Sequence, residues 1–222
     1  MEKKTAEELA ALETTRQTFS KGLTPEQVAA KYDDWSSNYE EMLSNNRYRA
    51  PHIAVDEIAN LVPEDQRKNI RVMDVAAGTG LVGIKLREIG FKNIDALEPS
   101  EGMIQLLKDT GVYNLKYQEF LGHGKNTVPA DTYDLVVIAG GMGHSHIPVS
   151  GVDDLVRVAK PGGLIVIVMR LEFLTAVEEY RDKLEPYLDQ LEQRGVWHKE
   201  SRKIVPNYFF EKEGIVFSYR VK

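Results

Sequence analysis

Val72-Met73-Asp74-Val75-Ala76-Ala77-Gly78-Thr79-Gly80 decides the fold of this chain. It reads as a buried strand that ends in an acid and then a glycine-rich turn. Leu81 to Ile89 follows with apolar residues at helical spacing. A strand, a tight glycine turn and a helix start make a nucleotide-cofactor cradle. Glycine lets a ligand come close to the backbone, and the first helical turn offers free N–H groups. Twenty residues after Gly78, a second apolar strand, Ile94 to Leu97, ends in Glu98. A carboxylate there is placed to accept from ribose hydroxyls.

Two cofactor classes fit this outline. Gly78-x-Gly80-x-x-Gly83 matches the dinucleotide fingerprint, a weak pattern by itself. Asp74, four residues before Gly78 at the strand tip, separates the two. A carboxylate there would repel a pyrophosphate but suits a ligand that carries an amino group and a sulfonium. The run resembles motif I of the class I S-adenosylmethionine (SAM) methyltransferases, Asp-x-Gly-x-Gly-x-Gly. Ala76 stands in place of the first glycine, a mild change.

The 222 residues suit one ordinary domain with a small appendage, and 42% hydrophobic residues are enough for a substantial core. Cysteine is absent, which excludes disulfides, thiolate catalysis and zinc–thiolate sites. No apolar run approaches the ~20 residues that span a bilayer. Met1-Glu2-Lys3-Lys4 leads into a charged helix and not an apolar signal segment, so a cytoplasmic protein without a membrane partner is expected. A net charge of −6 disfavours a broad nucleic-acid footprint.

Residues 1–50 read as an amphipathic helical flap and residues 51–222 as the core. Thr5-x-x-Glu8 is a capping-box pattern, and Thr24-Pro25-Glu26-Gln27 is a stronger helix start. Pro51 opens another helix. Strands are expected at 70–75, 93–98, 115–120, 133–139 and 164–169, and helices at 80–89, 100–109 and 151–159. A long helix over 171–194 is expected to be interrupted at Pro186. The tail reads as a hairpin, 203–211 and 215–221, turning at Lys212-Glu213-Gly214. Strands that alternate with helices imply an α/β fold with a doubly wound, mostly parallel sheet.

Further segments carry the methyltransferase resemblance. Ala96-Leu97-Glu98-Pro99-Ser100-x-x-Met103 is similar to the second-strand acid motif, and Thr132-Tyr133-Asp134-Leu135-Val136-Val137 to the fourth strand. Arg157-Val158-Ala159-Lys160-Pro161-Gly162-Gly163 resembles the turn before strand five. Tyr32-Asp33-x-Trp35-x-x-x-Tyr39 resembles the helix before the core of small-molecule methyltransferases. Tyr48-Arg49-Ala50-Pro51-x-x-Ala54-Val55-Asp56 points to one subgroup of methyltransferase-like proteins. The resemblance covers about residues 28–200. It implies the Rossmann-like class I fold, seven strands in the order 3-2-1-4-5-7-6 with helices on both faces. It also implies SAM as methyl donor and S-adenosylhomocysteine (SAH) as product.

By that resemblance Asp74 orients the turn and meets the cofactor's amino group, directly or through water. Ala76, Gly78 and Gly80 give backbone access to the methionine part, and Glu98 takes the ribose hydroxyls. Pro99, Ser100 and Met103 line the adenine. At the third strand either Glu119 accepts from the adenine amino group, or Leu121 and Gly122 meet the ring with apolar surface and backbone; the latter is favoured. After strand four, Ala139-Gly140-Gly141-Met142-Gly143-His144-Ser145-His146 should lie beside the transferred methyl, because open sheets bind ligands outside the carboxyl ends of strands. His144 and His146 are candidate bases; as surface-loop residues they would have no role. They also form a candidate metal pair, but without a third ligand no metal is expected. Arg47 or Arg49 suits the cofactor carboxylate, and Trp35 and Tyr39 suit the sulfonium. Arg170, Glu172, Trp197 and Tyr208 are candidates for the acceptor pocket, whereas Phe209 and Phe210 read as core.

No Asn-Pro-Pro-Tyr-type motif for nucleic-acid or protein amino groups is present. A small-molecule acceptor is therefore expected, with a protein side chain second. The rivals are a SAM or SAH binder without catalysis and a nicotinamide-dependent oxidoreductase. The oligomeric state is not read from this pattern.

Overall fold

The structure, a computed structural model, describes residues 13–15, 18, 20–36, 48–124 and 126–222. The Thr5–Glu8 capping pattern, Tyr39 and Arg47 lie outside the described residues. Helix α1 (Pro25–Trp35) starts as its sequence predicts: the Thr24 hydroxyl accepts from the Gln27 N–H and the Gln27 side chain accepts from the Thr24 N–H. Helices α2 (Ala50–Leu61) and α3 (Glu64–Arg67) lead into the sheet.

The parallel strands are β1 (Arg71–Val75), β2 (Asn93–Leu97), β3 (Lys116–Tyr117), β4 (Tyr133–Ala139) and β5 (Ala159–Arg170). Helices α4 (Leu81–Glu88), α5 (Glu101–Thr110) and α6 (Gly151–Val158) connect them. After β5 come α7 (Phe173–Ala176), α8 (Leu184–Gln193), β6 (Trp197–Phe209) and β7 (Lys212–Val221). The sheet has seven strands in the order β3-β2-β1-β4-β5-β7-β6, and β7 runs antiparallel to both neighbours. This is the expected class I methyltransferase topology.

Side chains alternate across the sheet, which explains the unbroken apolar runs. Met73, Val75, Val136, Ile138, Ile165 and Ile167 pack on the face with Leu155 of α6 and Leu188 of α8. Val72, Leu135, Val137, Leu164 and Val166 face the other way, against Ile58 of α2, Leu86 of α4 and Leu107 of α5. A buried carboxylate, Glu57 of α2, ties that helix to the hairpin. It accepts from the Ser218 hydroxyl at 2.9 Å, the Ser201 hydroxyl at 2.5 Å and the Lys203 ammonium at 2.6 Å.

Three expectations are corrected. Strand β3 holds only Lys116–Tyr117, because the chain then turns into a loop in which the Glu119 carboxylate accepts from the Thr127 N–H and hydroxyl. The 171–194 segment breaks before Pro186: Val177 is extended and Asp182 has φ +57°. Pro186 sits in the first turn of α8, where a missing N–H loses no helical hydrogen bond. The hairpin begins at Trp197 and turns at Phe210-Glu211, with Phe210 at φ +51°. Gly214 belongs to β7, where a Cβ would meet the Tyr208 ring at 2.7 Å. That glycine marks a close approach, not a turn.

Candidate functional site

The glycine turn is held from below. Asp74, 1% exposed, accepts from the Tyr113 hydroxyl at 2.6 Å, and that hydroxyl accepts from the Gly83 N–H at 3.1 Å. One phenol therefore bridges the end of β1 to the first turn of α4. The turn passes closely over Tyr113: a Cβ on Gly83 would meet the hydroxyl at 2.3 Å. Burial pushes the Asp74 carboxyl up to about 7, partly offset by the Tyr113 hydroxyl, and its Oδ1 has no partner among the described residues. Asp74 lies under the turn and does not line the cleft.

Glu98, at the tip of β2, joins two turns. One carboxylate oxygen accepts from the Gly78 N–H and the other from the Ser100 N–H, both at 2.9 Å. Each oxygen keeps a lone pair for a further donor. Burial raises its carboxyl to about 7, while the two N–H donors pull it down and nearby Asp33 adds to the rise. Ser100 caps α5 by accepting from the Met103 N–H at 3.1 Å.

A cleft of about 720 Å³, counted with its open mouth, lies outside the carboxyl ends of β1, β2 and β4. Among the predicted residues, Ala76, Gly78, Glu98, Pro99 and Met103 line it, as do Leu121, Ala139, Gly140 and His146. A smaller lobe of about 290 Å³ shares Tyr48, Ala76, Gly78 and Ala139 with the cleft and is also lined by Thr79. The buried Thr79 hydroxyl in this lobe has no partner among the described residues. Gly80 caps α4 at φ +93°, Gly122 packs against Gly151, and the Arg49 N–H meets the Tyr208 carbonyl at 2.9 Å. None of these three lines the cleft or its smaller lobe.

The loop after β4 is rigidly tied. The Tyr180 hydroxyl accepts from the Gly143 N–H at 2.9 Å and donates to the Ile147 carbonyl at 2.5 Å. Within this loop His146 places Nδ1 2.7 Å from the His144 carbonyl and Nε2 3.0 Å from the Tyr32 hydroxyl. Burial lowers His146 to about 4, so its ring is neutral at physiological pH. His144 instead packs its ring on Phe173 and does not line the cleft.

Sequence reasoning missed several lining residues. Val28, Ala29 and Tyr32 of α1 form one wall, and Phe120, His123 and Ile147 another. Tyr48 also lines the cleft, its hydroxyl donating to the Ala139 carbonyl at 3.2 Å. The Tyr32-Asp33-x-Trp35 motif was the available signal, but only as a helix. Trp197 is core, stacked on Tyr219 at 4.1 Å. Arg170 lies over the Phe209 ring at 4.1 Å, and Tyr208 packs edge-on against Tyr48. Among the described residues no cluster of three or more His, Asp or Glu could hold a metal ion. No described helix is long and apolar enough to cross a membrane.

The donors and acceptors of the cleft fit SAM. Glu98 offers acceptors for a ribose, Pro99 and Leu121 give apolar surface for a base, and Thr79, which lines the adjoining lobe, has a buried hydroxyl with no partner among the described residues. The family described as "Methyltransferase domain" matches residues 45–213, and the chain belongs to it. It is thus a class I, SAM-dependent methyltransferase domain. Methyltransferase-like protein 27 of Homo sapiens is 34% identical over 166 residues, 75% of this chain and 66% of that protein. Demethylmenaquinone methyltransferase of Clavibacter sepedonicus is 32% identical over 148 residues, 64% of this chain and 58% of that protein. The chain spans less than two thirds of the length of both relatives. A solved SAM-dependent methyltransferase from Aquifex aeolicus shares the fold, with TM-score 0.58 and 16% identity over 86% of this chain and 98% of that one.

Proposed function

We propose that this protein transfers the methyl group of SAM to a small-molecule acceptor. The carrying observation is the cleft itself. Glu98, Gly78, Tyr32 and His146 line one cleft together with the small residues Ala139, Gly140 and Gly141. Small residues permit close approach of donor and acceptor, which is where positioning acts on rate. Wall residues from α1 leave room for a compact acceptor and support a lid role for residues 1–50 over the core at 51–222. Demethylmenaquinone, in the name of one relative, is also a small molecule. A protein side chain is the second reading, and the net charge of −6 disfavours nucleic acid. The expected compartment is the cytoplasm.

SAM supplies an electrophilic methyl group when bound. Glu98 would hold the ribose hydroxyls, and Pro99, Met103 and Leu121 the adenine. Gly78 and Gly80 shape the turn that passes the methionine part, and Asp74 keeps that turn in place. The test is calorimetric titration with SAM, SAH and NAD on wild type and Glu98→Ala. The expected result is one site for the two sulfur ligands, weakened by at least about tenfold in Glu98→Ala, given ~1.5–3 kcal/mol for a hydrogen bond to a charged group. Binding of NAD in their place would overturn the reading. Acceptors are then sought by SAH release from small-molecule pools and from protein extracts. Release with protein extracts alone would replace the small molecule by a side chain.

A further inference from the structure

The His144 carbonyl can only accept, so His146 Nδ1 must carry the proton. In the neutral ring Nε2 is then an acceptor, and the Tyr32 hydroxyl 3.0 Å away donates to it. The two rings meet edge-on at 89°, with centroids 5.8 Å apart. Both side chains line the cleft that contains Glu98, Gly78 and Gly140. A phenol of the protein thus engages the histidine nitrogen that the loop backbone does not hold. Tyr32 reaches it from α1, which is not part of the sheet framework.

We propose that His146 is the catalytic base of this enzyme, that its methyl acceptor is a phenolic hydroxyl, and that Tyr32 occupies the acceptor's place until the acceptor displaces it. This rests on the methyltransferase reading above. The acceptor oxygen forms its bond to the methyl carbon with one of its own electron pairs. Its proton passes to His146 Nε2, and the electron pair of the broken carbon–sulfur bond stays on sulfur. The imidazolium then releases its proton to solvent. The walls suit an aromatic acceptor: Val28, Ala29, Phe120 and Ile147 are apolar.

The chemistry favours a phenol over an alkanol. Burial, helped by the charge of Arg170 and opposed by the hydrogen bond to the His144 carbonyl, keeps the His146 ring neutral and a weak base. A phenol, with an ordinary pKa of about 10, gives up its proton to a neutral imidazole more readily than an alkanol does. Tyr32 itself shows that a phenolic oxygen fits against Nε2.

The test compares para-cresol with its methyl ether as probes, in the presence of SAH, while the nitrogen resonances of the histidine rings are followed by NMR. Para-cresol is expected to shift the His146 Nε2 resonance, and the ether is not. Tyr32→Phe removes the competing phenol, so it should tighten para-cresol binding by about twofold to tenfold, the worth of one net hydrogen bond. His146→Gln should bring para-cresol down to the affinity of the ether. Equal binding of the two probes, with no His146 shift in wild type or Tyr32→Phe, would overturn the proposal while SAH binding keeps the methyltransferase reading. Absence of SAH binding in wild type would overturn both.

Discussion

Asp33 of α1 and Ser100 at the start of α5 are joined by a 2.6 Å hydrogen bond, the Ser100 hydroxyl donating to the Asp33 carboxylate. The same carboxylate oxygen accepts from the Gly102 N–H at 2.9 Å. A wall of the cleft is thereby fastened to the helix that follows Glu98. Gly102 allows this approach: a Cβ there would meet the Ser36 hydroxyl at 2.8 Å. Asp33→Ala should remove a helix-capping acceptor worth ~1 kcal/mol and loosen α1. Amide exchange is expected to quicken across residues 25–35 with little change in β1 and β4. Unchanged protection of α1 would show that Asp33 is not its fastening.

Tyr113→Phe deletes the hydroxyl that donates to Asp74 and accepts from the Gly83 N–H. Two buried polar groups lose the hydroxyl that bridges them, so a loss of about 2 kcal/mol is expected. Denaturant unfolding reads this directly. A loss within about 0.5 kcal/mol, the usual range of surface changes, would mean the bridge is not what holds the turn.

Ala76 has φ +54°, a backbone region where a side chain costs roughly 1 kcal/mol. Its Cβ also explains a neighbour: a Cβ on Gly141 would sit 2.7 Å from it. Ala76→Gly should therefore be neutral or stabilising by up to about 1 kcal/mol, against the usual sense of Ala→Gly. Gly141→Ala should destabilise, and less so in the Ala76→Gly background, although Ile138 at 2.9 Å limits the rescue. A double-mutant cycle measures the coupling, and additive effects would show that the two positions do not share this contact.

Glu98 has its carboxyl raised from 4.5 to about 7 by burial. Between those values the folded chain holds a proton that the unfolded chain has released. Its contribution to stability is thus fully present below 4.5 and lost as pH rises through about 7. Ligand binding runs the other way, since ribose hydroxyls donate better to the ionised carboxylate. The gain in melting temperature from SAH should grow from about pH 5 to about pH 8, and Glu98→Gln should flatten that growth. A wild-type gain that is flat over this window would remove Glu98 as the ionising acceptor.

What was legible in the sequence was local. The run Val72–Gly80, the acid at Glu98 and the Ser100 cap each announce themselves within a few residues, because strand, turn and helix start use different residue types. Contacts between distant segments were not legible. Nothing near Tyr113 says that its hydroxyl reaches Asp74, and nothing near Tyr32 says that it meets His146. Gly214 misled for the opposite reason: glycine serves a turn and a close ring contact equally, and only the position of Tyr208 decides between them. Pro186 is similar, since proline both breaks helices and opens them. The left-handed backbone at Ala76 was hidden because alanine rarely adopts it.

The placement of β7 between β5 and β6 has a consequence for synthesis. During elongation β5 and β6 both emerge before the strand that must separate them. Until Lys212–Val221 leaves the ribosome, the apolar edge of β5 has no antiparallel partner, and β6 has nothing to pair with. An unpaired strand edge is an aggregation hazard. The strand that closes the sheet follows both of its neighbours in the chain, so the nascent chain is exposed to chaperones and to misassembly from the time β6 emerges until β7 does.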